Sequence, residues 1–126
     1  MTTLTEGKHT GEFIGQLAMG PGYHIDKITV LSGQNLVAGA AIGKITASGK
    51  YVAFDNAGTD DGRRTLVGFL YAACDASGGD VTTATALLRG PALVNVNDIT
   101  WAAGVDAGEQ AAALAALLIA TGIKTA

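Results

Sequence analysis

Eighteen glycines are scattered through these 126 residues, about twice the usual share. They follow no fixed period, which excludes collagen and a flexible linker. They cut the chain into short pieces joined by turns. The density is high near the start, at Gly7, Gly11, Gly15, Gly20 and Gly22. No helix persists through so many glycines. Apolar residues are few there, and Glu12-Phe13-Ile14 is the compact apolar cluster. Residues 1 to about 17 therefore predict an extended arm with no core of its own. Gly20-Pro21-Gly22 predicts a turn into the folded body. The chain divides into an arm, 1–23, and a single domain, 24–126.

From Ile25 to Val96 the signals are β. His24 to Leu31 is β-branched and ends at Ser32-Gly33. Strands are also expected over Leu36 to Ala40, Ala41 to Ala47 and Tyr51 to Asp55, the last with clean alternation. Thr65 to Ala73 is apolar on both faces, as in a central strand. Val81 to Arg89 and Leu93 to Val96 follow, around the break at Gly90-Pro91. The C-terminus changes period. Asp106 and Glu109 form an Asp variant of the capping box. An Ala-rich run then predicts a helix over about 107–120. It is docked by Leu114, Leu117 and Leu118, with Gly122 as its C-cap and Ile123 folding back on Leu118. Trp101 is expected to pack beneath it. The fold class is mainly β with a C-terminal α-helix, α+β.

Composition narrows the function. Only 15% of residues are charged, against 48% hydrophobic, and the net charge is −3. No basic cluster exists to displace the counterions of nucleic acid. No apolar run approaches the roughly 18 residues that span a bilayer. The start of the chain is polar, without the look of a signal peptide. A surface poor in charge suits a protein covered by neighbours.

Three local patterns imitate chemistry. Gly39 to Ile45 looks like a phosphate loop, but its glycine spacing is one residue short, and Ile45 stands where Ser or Thr must ligate magnesium. Turns or bulges at Gly39 and Gly43 are the simpler reading. Asp55 to Gly62 gathers carboxylates, yet Ala57 occupies a ligand position and no bidentate Glu follows, so a solvated hairpin loop is expected rather than a calcium site. Paired carboxylates for sugar hydrolysis would lack an aromatic platform. Cys74 is the single cysteine and reads as a buried thiol. His9 and His24, the conceivable bases, fall in or near the arm. No catalytic residue, metal site or cofactor is expected.

An arm, a small β-rich body and a terminal helix resemble the lambda-type bacteriophage head decoration proteins. The matching strings are Gly11-Glu12-Phe13-Ile14, then Val30 to Gly39, Ile42-Gly43-Lys44-Ile45 and Leu88-Arg89-Gly90-Pro91-Ala92. Trp101, Gln110, Leu114, Leu117 and Gly122-Ile123 follow in the family's order. The resemblance spans about Glu6 to Lys124. It implies a compact β-clip-like body of short strands and a structural virion protein that is not an enzyme. It implies homotrimers at three-fold and quasi-three-fold positions on the outer surface of the expanded phage head, which they stabilise. It implies the major capsid protein as partner, and manufacture in the host cytoplasm. It also implies a capsid-binding arm, carried over to Thr5, Glu6, Gly11, Glu12, Phe13, Ile14, Gln16 and Leu17. A β-rich carbohydrate- or host-surface-binding module on a virion is the alternative, and it would need exposed aromatics around a groove.

Overall fold

The computed structural model describes residues 11, 13–17, 21–56 and 61–125. Ten strands in three sheets accompany the helices among them. Five strands close a barrel in the order β2 (Ile25–Val30), β5 (Tyr51–Ala53), β4 (Ala41–Lys44), β6 (Gly68–Leu70) and β8 (Val81–Leu87). The β2–β5 pair is parallel and the others are antiparallel. Closure removes the edges that short strands would otherwise expose. A two-stranded ribbon joins β3 (Asn35–Leu36) to β7 (Cys74–Asp75).

Two cores flank the barrel strands, because neighbouring residues of a strand point to opposite faces. Ile42, Leu70 and Ala86 enter one cluster with Ile28, Val30 and Ala84. Their chain neighbours Ala41, Phe69 and Leu87 enter the other. That second cluster joins the barrel to a three-stranded sheet and to the C-terminal helix. Gly68–Leu70 is buried on both faces, as a central strand should be, but the strand is three residues long, not nine.

Helix α2 spans Ala107–Thr121. Both halves of its capping box form, Asp106 accepting from the Glu109 N–H at 2.8 Å and Glu109 reaching back to the Asp106 N–H. Gly122 closes it in the left-handed conformation, φ 79°, donating to the Leu118 carbonyl. Leu117 is buried and Leu114 packs against the second core, but Leu118 is exposed. The expected Leu face is therefore narrower, turned about Leu117. Trp101 packs against the same core, edge-on to Phe54 with ring centroids 6.0 Å apart.

Two strands lie where the sequence suggested none. Immediately after Gly122 the chain enters β10 (Ile123–Thr125), parallel to β9 (Ala92–Val94). Ile123 is buried in the second core instead of closing on the exposed Leu118. On the other side of β9 lies β1 (Ile14–Leu17), antiparallel. One turn of helix, α1 (Pro21–His24), leads from there towards the barrel. Gly39 is a turn glycine, φ 86°. Gly43, by contrast, sits inside β4, where a Cβ would stand 2.8 Å from the Arg63 backbone. It is required for a close approach, not for a bulge.

Candidate functional site: the N-terminal strand

Of the eight residues expected in a capsid-binding arm, Thr5, Glu6 and Glu12 lie outside the described residues. The rest are brought together on the body. Gly11 to Ile14 forms a tight turn in which the Ile14 N–H donates to the Gly11 carbonyl at 3.1 Å. Gly11 takes φ 69° and lies against Tyr71; a Cβ there would come within 2.8 Å of the ring. Its N–H donates to the Tyr71 carbonyl at 2.9 Å. The turn inserts Phe13 into the second core at 0% exposure, edge-on to Phe69 with centroids 6.0 Å apart. The Phe13 carbonyl accepts from the Asn95 N–H at 2.7 Å.

Gly39 makes the seat for Phe13. A Cβ on it would stand 2.6 Å from the Asp98 carbonyl and 3.5 Å from the Phe13 ring edge and Cβ. The strand then runs from Ile14 opposite Val94 to Leu17 opposite Ala92, with a register shift between Ile14 and Gln16. Ile14 and Leu17 half-bury against the core. Gly15 faces outward, and with Leu93, Val94 and Asn95 it lines a mostly apolar depression of ≈ 350 Å³. Residues 13–17 are thus a core strand, not a coreless arm. Burying a Phe and two aliphatic side chains offsets the entropy of ordering this short segment. The first ten residues of the expected arm lie outside the described residues.

The outer edge of β1 has no partner strand among the described residues, since the sheet order is β1–β9–β10. An unpaired edge presents a row of free N–H and C=O groups to another chain. β1 is an edge of four residues that can accept one more strand.

Elsewhere the charged groups serve the fold. Arg89 forks onto Asp26, donates to the Tyr23 carbonyl at 2.7 Å and lies over the Tyr23 ring. Arg63 grips Asp61 through Nε at 3.0 Å and Nη2 at 2.9 Å. That hydrogen bond holds the Asp61 carboxyl below its ordinary range. Arg63 also returns its carbonyl to the Asp55 N–H at 3.0 Å, closing the base of the acidic loop; residues 57–60 lie outside the described residues. Among the described residues no three His, Cys, Asp or Glu are placed to hold a metal.

His24 is not an arm residue. It is fully buried at the junction of α1 and β2. Its Nδ1 lies 2.9 Å from the Arg89 carbonyl. A carbonyl only accepts, so Nδ1 carries the hydrogen. Cys74 is buried in the other core. Burial, with help from Asp75, pushes its thiol pKa up, the reverse of what a nucleophile needs. Aromatic residues form no sugar platform: Phe13, Phe54, Phe69 and Tyr51 are buried, Trp101 packs on Phe54, and Tyr23 is the exposed one.

The family model for bacteriophage lambda head decoration protein D matches residues 3–123, nearly the whole chain. No curated protein matches.

Proposed function

Because the chain belongs to the bacteriophage lambda head decoration protein D family, and so is a structural protein of a phage head, we propose that it binds the exterior of the expanded capsid as homotrimers. They sit at three-fold and quasi-three-fold positions, contact the major capsid protein and hold its subunits together against the pressure of packaged DNA. The observation that supports the capsid contact is the outer edge of β1, which has no partner strand among the described residues. A capsid strand laid along Ile14 to Leu17 extends the sheet by main-chain hydrogen bonds, and the depression beside Gly15 takes one of its side chains.

Phe13 gives that arrangement its direction. Fixed in the core of its own subunit, it anchors the docking edge on the body, and Thr5, Glu6 and Glu12 complete the proposed capsid-binding set. Gly11, Ile14, Gln16 and Leu17 form the docking edge. Ordering costs on the order of 1–2 kcal/mol per residue, and Gly11 and residues 13–17, already held on the body, do not incur it on binding. Three such contacts per trimer raise the effective concentration of one another, so each can be weak.

Co-sedimentation with expanded and unexpanded empty capsids tests the proposal. Saturable binding to expanded capsids in multiples of three per capsomer junction is the expected result. Absence of binding to both would refute it. The buried aromatics give a carbohydrate-binding reading no support.

A further inference from the structure

Beyond its first turn helix α2 is apolar on every side: from Ala111 to Ala120 all residues are Ala, Leu or Ile. One side is accounted for by the second core, through Leu117, Leu114 and Ala113. The opposite side is not. Ile119 is 88% exposed and Leu118 is 45% exposed, and Ala111, Ala112, Ala115 and Ala116 are exposed with them. A helix without a polar face belongs to an interior, so the outward side of α2 calls for a cover.

The spacing identifies the cover. Gly108, Ala112, Ala115 and Ile119 are all exposed and recur at intervals of four, three and four, the seam by which one helix packs along another. Among the described residues the other α-helix, α1, is a single turn. Another copy of this chain carries a matching helix with the same spacing. A second copy also offers a surface as free of charge as this one, so nothing is desolvated without compensation. The caps at Asp106 and Gly122 fix the helix independently of any partner, so its face is ready-made.

We propose that the outward face of α2 packs against α2 of neighbouring copies around the three-fold axis, with the Ile119 side chains meeting there. This rests on the trimer reading above and names its interface. Glycine and alanine at 108, 112 and 115 let the helices approach closely, and Ile119 fills the space left beside them. The seam is about 17 Å long at 1.5 Å per residue. It covers less than the ~800 Å² per partner of a stable interface, so the bodies supply the remainder.

Sedimentation equilibrium and native mass spectrometry of the full chain test this. Ile119→Arg, and independently Ala115→Arg, should raise the trimer's dissociation constant at least tenfold while near-UV circular dichroism stays that of wild type. Thr82→Arg, on the exposed side of β8, should leave association unchanged. Ile119→Cys should cross-link copies under mild oxidation, because Cys74 is buried. Trimers of wild-type strength in both arginine variants, without cross-linking at 119, would overturn the inference while leaving the trimer intact. If those variants stay trimeric but lose capsid binding, the capsid covers the face and the inference is wrong. A wild-type chain that remains monomeric at every concentration would overturn the trimer reading together with this one.

Discussion

Phe13 and Phe69 meet edge to face, centroids 6.0 Å apart with an interplanar angle of 61°, and both rings are fully buried. They come from a glycine-rich leader and from the middle of the barrel. Their contact makes the start of the folded unit dependent on its centre. Phe13→Ala should therefore destabilise the whole domain, by about 3–5 kcal/mol as for other buried Phe truncations. Urea unfolding monitored at Trp101 measures it. A loss under ~1 kcal/mol would mean that residues 11–17 are an appendage after all.

Truncation separates the two parts of the leader. Deleting residues 2–10 should leave the thermal midpoint within a degree or two and weaken capsid binding at least tenfold, ~1.4 kcal/mol. Deleting residues 2–17 should lower the midpoint as well, since it strips Phe13 and β1 from the core. Equal midpoints for the two truncations would contradict the structure.

Glycines 39 and 122 should differ when each becomes alanine. Both have positive φ, 86° and 79°. A new Cβ at Gly122 would meet Gly90 and Pro91 at an ordinary 3.8 Å, so only the backbone conformation is penalised, by about 1 kcal/mol. At Gly39 the Cβ would also collide with the Asp98 carbonyl at 2.6 Å and crowd Phe13. Gly39→Ala should be clearly the more damaging in a denaturant titration, and the reverse order would refute the seat assigned to Phe13.

Stability should fall on both sides of neutrality. Asp61, Asp75 and Asp80 have carboxyl pKa values held below 3.8, chiefly by side-chain hydrogen bonds from Arg63, Ser77 and Lys50. A depressed acid stabilises above its unfolded value and loses that contribution as pH falls through the folded one. Cys74 and Tyr51 are shifted up from 9.0 and 10.0, burial first. Their contribution is present below those values and is lost as pH rises past them. Denaturation midpoints should be flat from about pH 5 to 8, falling below 4 and above 9. Cys74→Ser and Tyr51→Phe should each flatten the alkaline limb; an unchanged limb in both would disprove this assignment.

What could be read from the sequence was local. The capping box, the alanine run and Gly122 act within a few residues of one another, and α2 stands within one residue of its expected ends. The β body was legible as a succession of glycine-separated apolar runs. Strand lengths were not, because closure of the barrel leaves three residues of Thr65–Ala73 in register. Ile123–Thr125 and Ile14–Leu17 carry no alternation of their own. They are strands because β9, far away in sequence, lies between them. Nothing beside Phe13 announces its burial; the signal would have been Gly39, whose missing side chain makes the room.

The placement of β9 has a practical corollary. Ile14 stands across from Val94 on one side, and Thr125 stands across from Val94 on the other. The polypeptide therefore enters and leaves this sheet at the same corner. Because Phe13 and Gly11 turn back into the body just ahead of Ile14, a peptide fused behind Thr125 would emerge beside that turn, within reach of whatever docks along β1.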